Sequence, residues 1–275
     1  MKLFSPAKLN LFFRVLSKRE DGFHEIASLM QAISLGDYLT FEESSDDRLT
    51  CTDPSIPTDE RNFIARARNL FREKTRWDKK VAIHAEKAIP AEAGLGGGSG
   101  NIATTLWALS QLSKKNISEE ELKQWAGELS SDAPFFFSTG TAYATGRGEE
   151  VFSLPPLEKQ TLYLAKPEGG LSTPLVYKHC EPNVNDIDPK QLLGSALGGH
   201  LEGVNDLEYA AFALRPDLFQ LKEGLFNLGF TNVTMTGSGT GFYCIGPVEN
   251  PSLPHVQFWK TSYLARSKTW YALEP

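Results

Sequence analysis

At 275 residues the chain has room for one large domain or two ordinary ones. Hydrophobic residues at 41% and charged residues at 23% are average for a globular protein, and a net charge of −6 argues against a general nucleic-acid binder, which carries a basic excess. Cys51, Cys180 and Cys244 are few, odd in number and far apart, so they form neither a disulfide framework nor a metal pattern, and a reducing compartment is expected. The opening "MKLFSPAKLN" lacks the apolar core of a signal peptide, and no stretch approaches the ~18–20 apolar residues of a membrane span. The expectation is a soluble cytoplasmic protein with no membrane partner.

In chain order, "LNLFFRVLS" (9–17) alternates and reads as a strand, as do "DYLTFEE" (37–43) and "VAIHAEKAI" (81–89). Between the last two, residues 61–74 place Phe63, Ala67, Leu70 and Phe71 on one helical face. Ile102, Leu106 and Leu109 predict a helix starting near Ser99–Asn101. A further helix starts at Ser118, where Glu121 completes a capping box and Ile117 and Leu122 close a hydrophobic staple. Its expected buried face is Leu122, Trp125, Ala126 and Leu129. "TAYATGRGEEVFSL" reads as a strand and a glycine turn, and Pro155–Pro156 marks the expected domain boundary, giving 1–154 and 155–275. Beyond it come a strand in "QTLYLAKP", a helix in "VNDLEYAAFAL" and a helix opened by Pro216 and capped by Gly229. Strands in "TNVTMTG" and "GFYCIG" flank "GSGTG". Mixed strands and helices in two halves predict an α+β fold.

"AGLGGGSGN" (93–101) holds five glycines in nine residues, between a strand and a helix. A flexible linker should instead be flanked by polar, aperiodic sequence. Bare backbone N–H groups before a helix N-terminus make an anion cradle, although a tight strand-to-helix turn has the same composition. A Walker A loop needs a lysine after Gly98, and a Rossmann fingerprint needs a glycine where Ser99 stands. Neither nucleotide loop fits, which also disfavours a dehydrogenase.

"SPAKLNLFFRV" (5–15), "IPAEAGLGGGSGNIATTLWAL" (89–109) and "MTGSGTGFYCI" (235–245) occur in the order and spacing of the GHMP kinases, the family of galactokinase, homoserine kinase and mevalonate kinase. Together they resemble that family across almost the whole chain. "DGFHEI" (21–26), "SSDAPFFF" (130–137), "STPLVYK" (172–178) and "NDLE" (205–208) resemble its branch that phosphorylates a small molecule with a cytidine diphosphate moiety. Phe23, Gly100 and Tyr177 stand where that branch usually has tyrosine, serine and phenylalanine. The resemblance implies a two-domain GHMP kinase fold: an N-terminal domain like ribosomal protein S5 domain 2 and a ferredoxin-like C-terminal domain, with substrates in the cleft between. A mevalonate or homoserine kinase, and a nucleotide-binding protein without catalysis, are the competing expectations.

The resemblance also implies roles. Asp132 is the expected base for the substrate hydroxyl, although an aspartate before Pro134 also suits a turn or cap. Lys8 is the expected cation beside it, although an edge strand with the lysine in solvent has the same pattern. ATP binding falls to Pro90, Gly94, Leu95, Gly96, Gly97, Gly98, Ser99, Gly100 and Asn101, with Asn101 equally suited to capping the helix. Substrate binding falls to Asn10, Phe23, His24, Thr173, Tyr177, Gly237, Ser238 and Gly239; Phe23 and Tyr177 would sandwich the cytosine, and the last three residues also suit a plain hairpin turn. ATP brings Mg2+, for which the sequence names no protein ligand; Glu92 is not supported as one. It specifies no oligomeric state.

Overall fold

The computed structural model describes residues 1–273. In chain order the elements are β1 (Lys2–Lys18), β2 (His24–Ser44), β3 (Arg48–Cys51), α1 (Phe63–Thr75), β4 (Lys80–Glu86), α2 (Gly97–Ser113), α3 (Glu119–Leu129), a 3-10 helix (Ala133–Phe137), β5 (Thr141–Thr145), β6 (Glu150–Ser153), β7 (Thr161–Pro167), α4 (Thr173–His179), α5 (Pro189–Leu197), α6 (Leu207–Leu214), α7 (Pro216–Asn227), β8 (Asn232–Met235), β9 (Phe242–Ile245) and β10 (Val256–Ser262).

A long antiparallel hairpin of β1 and β2 organises the molecule. Its sheet runs β3-β4-β2-β5-β6, with β1 paired to β2, and only β3–β4 is parallel. Phe71, Leu106, Leu109 and Phe135 fill the core between this sheet and its helices. Trp270, near the C-terminus, returns to that core, stacks on Trp107 and donates its indole N–H to the Phe4 carbonyl at 3.0 Å.

The second sheet is antiparallel throughout, in the order β10-β7-β9-β8. Numbered along the chain this is 4-1-3-2, the ferredoxin-like order. The helices α4 to α7 all lie between its first two strands, and residues 246–255 replace a second crossover helix. Val176, Leu207, Leu218 and Leu225 pack with Met235 and Phe242, and Phe13, Val15 and Ile26 of the hairpin join this core. Leu9, Leu11 and Leu29 meet Leu162, Leu164 and Tyr243 in a third apolar layer. The two sheets thus share the hairpin.

The structure extends or shifts several sequence expectations. The strand read over 9–17 begins at Lys2, because Ser5, Lys8 and Asn10 are buried with polar partners and interrupt any alternation. The first half of β2 is buried on both faces and shows no period of two. On α1, Phe63 is 37% exposed and Leu70 half-buried, while Ile64, Ala67 and Phe71 face the core. The capping box at Ser118 forms, but Trp125 and Leu129 are only partly buried. Helix α2 starts at Gly97, ahead of the expected Ser99–Asn101, so most of the glycines lie within its first turn.

Candidate active site

Lys8 and Asn10 point to the same face of β1, as residues two apart on a strand must. Lys8 is only 3% exposed, and its ammonium donates to Asn10 Oδ1 at 2.6 Å and lies 3.1 Å from Asp132 Oδ2. Asn10 Nδ2 donates to Ser28 Oγ at 2.8 Å, which donates to the Phe12 carbonyl at 2.7 Å. A buried cation is thus held by a satisfied polar chain. Asp132 enters from the 3-10 helix, where Phe135 and Phe136 are fully buried and anchor the segment. Its side chain makes no cap hydrogen bond and is 34% exposed toward the cleft. The cap alternative is therefore not how this carboxylate is used.

The glycine stretch wraps over Lys8. Gly94 and Gly96 have φ of +75° and +66°, which favour glycine. A Cβ on Gly96 would come within 2.9 Å of Lys8 Cγ. The Leu95 carbonyl accepts from Lys8 N at 2.9 Å. Gly98 is helical, and its constraint is a neighbour: a Cβ there would meet the Phe63 ring at 2.8 Å. Ser99 Oγ lies 2.8 Å from Ser130 Oγ and so ties the cradle to the segment leading to Asp132.

The second glycine run packs backbone to backbone against the first. A Cβ on Gly94 would sit 1.9 Å from the Thr236 carbonyl oxygen, and one on Gly239 would sit 2.1 Å from Gly94 N. Gly237, at φ +58°, faces the Lys8 ammonium and Asn10. Ser238 Oγ lies 2.7 Å from Thr173 Oγ1 at the start of α4.

At the other end of the cleft, Tyr177 on α4 faces His24, with ring centroids 5.2 Å apart and planes 31° apart. Phe23 is 53% exposed, and the Arg147 guanidinium covers its ring at 4.8 Å. Tyr177 therefore pairs with His24 and not, as the sequence suggested, with Phe23. Burial, and then the nearby Lys18 charge, hold the His24 pKa below its ordinary value. Burial pushes the Tyr177 phenol up, and the negative charge of Asp132 adds to this. One cleft of about 1090 Å³ is lined by Lys8, Asp132, residues 94–99, Asn101, Thr173, Gly237, Ser238 and the rings of Phe23, His24 and Tyr177. Asn10 and Gly239 lie behind its wall, and Gly100, expected to touch the nucleotide, instead faces Ser5, Pro6 and Phe136. The far arm of the cleft, beyond the glycines, is lined by Ile56, Asn62, Phe63, Lys87, Ile89 and Pro90.

Residues 62–140 match the family model described as the GHMP kinases N terminal domain. The chain is 47% identical to the 4-diphosphocytidyl-2-C-methyl-D-erythritol kinase of Protochlamydia amoebophila (strain UWE25), over all of this chain and 94% of that protein. The chain belongs to the 4-diphosphocytidyl-2-C-methyl-D-erythritol kinase family. A chloroplastic member from Mentha piperita is 41% identical over all of this chain and 73% of its own length. A crystal structure of a 4-(cytidine 5'-diphospho)-2C-methyl-D-erythritol kinase superposes with a TM-score of 0.82 at 31% identity, covering 96% of this chain and 99% of that one. A mevalonate kinase at 14% identity shares the fold, with a TM-score of 0.71.

This kinase family's "NDLE" stretch, noted in the sequence only as a resemblance, has a clear structural task here. Asn205 Nδ2 donates to the Met235 and Gly237 carbonyls at 2.7 and 2.8 Å, so it holds the second glycine run. Asp206 accepts from Arg14 Nε and Val15 N, both at 2.8 Å, and so fastens that run's support to β1. Arg147, Lys87, Asn62 and Phe63 also line the cleft, although no sequence motif marks them. Arg147 lies in a "TGRG" turn and Lys87 at the end of an alternating strand, and neither pattern marks a site. Phe63 shares the spacing of its helix's apolar stripe, which does not distinguish a cleft wall from a core.

Proposed function

We propose that the chain transfers the γ-phosphoryl of ATP to the 2-hydroxyl of 4-diphosphocytidyl-2-C-methyl-D-erythritol, in the non-mevalonate route to isoprenoids. The observation that carries this reading is the Lys8–Asp132 pair at 3.1 Å, midway in a cleft with bare glycine backbone at one end and aromatic rings at the other. Phosphoryl transfer needs an oriented hydroxyl, a proton acceptor and positive charge near the transferred group. Asp132 takes the hydroxyl proton. The Lys8 ammonium has three hydrogens; Asn10 and Asp132 engage two, which leaves one for the γ-phosphoryl oxygens. Backbone N–H groups of residues 94–99 bind the phosphates, aided by the positive end of α2, whereas the Gly100 N–H is taken by the Gly96 carbonyl at 2.9 Å. Phe23, His24 and Tyr177 bind the cytosine, and the paired Thr173 and Ser238 hydroxyls on the same cleft wall offer further hydrogen bonds to the substrate.

Mg2+ takes hard oxygen ligands and keeps several waters in nucleotide sites. Among the described residues no group of three or more His, Cys, Asp and Glu forms a metal cage. The Ser99 and Ser130 hydroxyls and the Asp132 carboxylate offer hard oxygens on the cleft wall, which fits a cation held mainly by phosphates and water. When bound, that cation neutralises charge on the phosphates. No helix among the described residues is long and apolar enough to cross a membrane. We place the reaction in the cytoplasm, in line with the unpaired Cys51, Cys180 and Cys244.

The test is phosphate transfer from ATP, assayed in parallel on the cytidine substrate, mevalonate and homoserine. Turnover of the cytidine substrate alone supports the reading. Turnover of mevalonate or homoserine instead, or ATP binding without any product, contradicts it.

A further inference from the structure

Asp37 lies on β2, at the start of the "DYLTFEE" strand and outside the motifs that carry the family resemblance, and it is completely buried. Its Oδ1 accepts from the backbone N–H groups of Ala88 and Ile89 at 2.9 and 3.0 Å. Its Oδ2 accepts from Asn101 Nδ2 at 3.0 Å and from the Lys87 ammonium. Lys87 also donates to Asn101 Oδ1 at 3.1 Å, and Asn101 Nδ2 reaches Ser5 Oγ at 3.0 Å. One carboxylate therefore grips both stems of the glycine stretch: the 87–89 segment that leads into it and the second turn of α2 that leads out.

We propose that Asp37 is a positioning residue for the nucleotide, acting through Lys87 and the 87–89 backbone. Lys87, Ile89 and Asn101 all line the cleft, and the Lys87 side chain is 12% exposed there. Asp37 and Asn101 engage two of the three hydrogens on the ammonium, so its position is fixed and one hydrogen remains for a ligand. A carboxylate is the group this task requires. Its two oxygens offer about four lone-pair sites to four donors, whereas an asparagine would turn an NH2 toward two of them. A network of this kind holds its shape only while each buried member is satisfied. The Asp37–Lys87 pair adds no net charge to the cleft, so Asp37 sets where the cation stands and not how much charge the nucleotide meets.

The inference rests on ATP occupying the far arm of the cleft. Its test compares the native chain with Asp37→Asn, Lys87→Met and the double variant, reading kcat, both KM values, titration with a non-hydrolysable ATP analogue, and melting temperature. Asp37→Asn should raise the ATP KM about tenfold, a loss of ~1.4 kcal/mol. The same variant should hold kcat within about threefold and leave the KM of the cytidine substrate nearly unchanged. Because the two residues share one network, the double variant should bind ATP little worse than Lys87→Met alone. A folded Asp37→Asn enzyme with native ATP KM would overturn the proposal. So would one in which kcat and both KM values worsen together, the mark of a merely structural role. Should Asp37→Asn fail to fold, Lys87→Met decides: a raised ATP KM supports the proposal and a native one overturns it. Failure of the native chain to phosphorylate the cytidine substrate would count against the kinase reading alone, since analogue titration still reads the role of Asp37.

Discussion

The two ends of the cleft are built from different materials. At the glycine end the wall nearest the second glycine run is main chain: Gly94 and Gly239 lie so close that a single methyl on either would overlap the other run's backbone. At the aromatic end the walls are side chains, with Phe23 half in solvent under Arg147 and Tyr177 resting on His24. A backbone wall tolerates no addition, because nothing in it can rotate away. A side-chain wall responds in proportion to what is removed. Substitutions at the two ends should therefore fail differently: all at once at the glycines, by degrees at the rings.

The largest effect is expected where the two ends meet. Asp132→Ala should lower kcat by roughly 10²–10⁴, the scale for losing a positioned acid–base group, with little change in ATP affinity. Stopped or steady-state turnover with an ATP titration checks this, and near-native turnover would remove Asp132 from the chemistry. Next comes the backbone wall. Gly94→Ala puts a methyl 1.9 Å from the Thr236 carbonyl at a φ of +75°. Left-handed backbone costs an alanine ~1–2 kcal/mol before the overlap is relieved. ATP binding should weaken by roughly a hundredfold, with ~1.4 kcal/mol for each factor of ten. Native ATP affinity in this variant would show that the two runs are not locked together.

The aromatic end should be milder. Stacking on a ring is worth ~1–3 kcal/mol per base, so Tyr177→Ala should weaken the cytidine substrate by roughly tenfold to a hundredfold. Tyr177→Phe keeps the ring and should be nearly silent; a large loss there would assign the binding to the phenol oxygen. The smallest effect concerns pH. His24 is held below its ordinary value by burial and by Lys18, so the folded chain resists its protonation. The stability this represents is complete above the unfolded histidine value of ~6.5 and is lost as pH falls through the lowered folded value. His24→Phe should therefore melt with a flatter dependence on pH than the native chain in the window from ~6.5 down to the lowered folded value. An unchanged slope would mean that His24 titrates as freely as in the unfolded chain.

Much of this site was legible in the sequence, for local reasons. Glycines adjoining an apolar helical period, a lysine amid apolar strand residues and an aspartate before "APFFF" each reveal a departure from the surrounding pattern. The capping box at Ser118 was legible because its bonds span three residues. What could not be read depends on distant pairing. Asp37 meets Asn101 across 64 positions, and Asn10 N meets Thr236 Oγ1 across 226. No spacing rule reaches so far. The first half of β2 was hidden because burial on both faces erases alternation. Phe63 misled because a residue lining a cleft and a residue filling a core share the same helical period. Composition alone does not separate the glycines of this stretch: Gly94 and Gly96 carry the positive φ, whereas Gly98 is helical and is confined by Phe63.

On the proposed function, one cleft holds ATP at its glycine end and cytidine at its aromatic end. A crossed titration tests it most directly: Gly94→Ala and Tyr177→Ala, each with the ATP analogue and with the cytidine substrate. Each variant should lose chiefly its own ligand, Gly94→Ala the analogue and Tyr177→Ala the cytidine substrate. If Tyr177→Ala weakened the analogue and left the cytidine substrate untouched, the two ends would be misassigned and the account would fail at its centre.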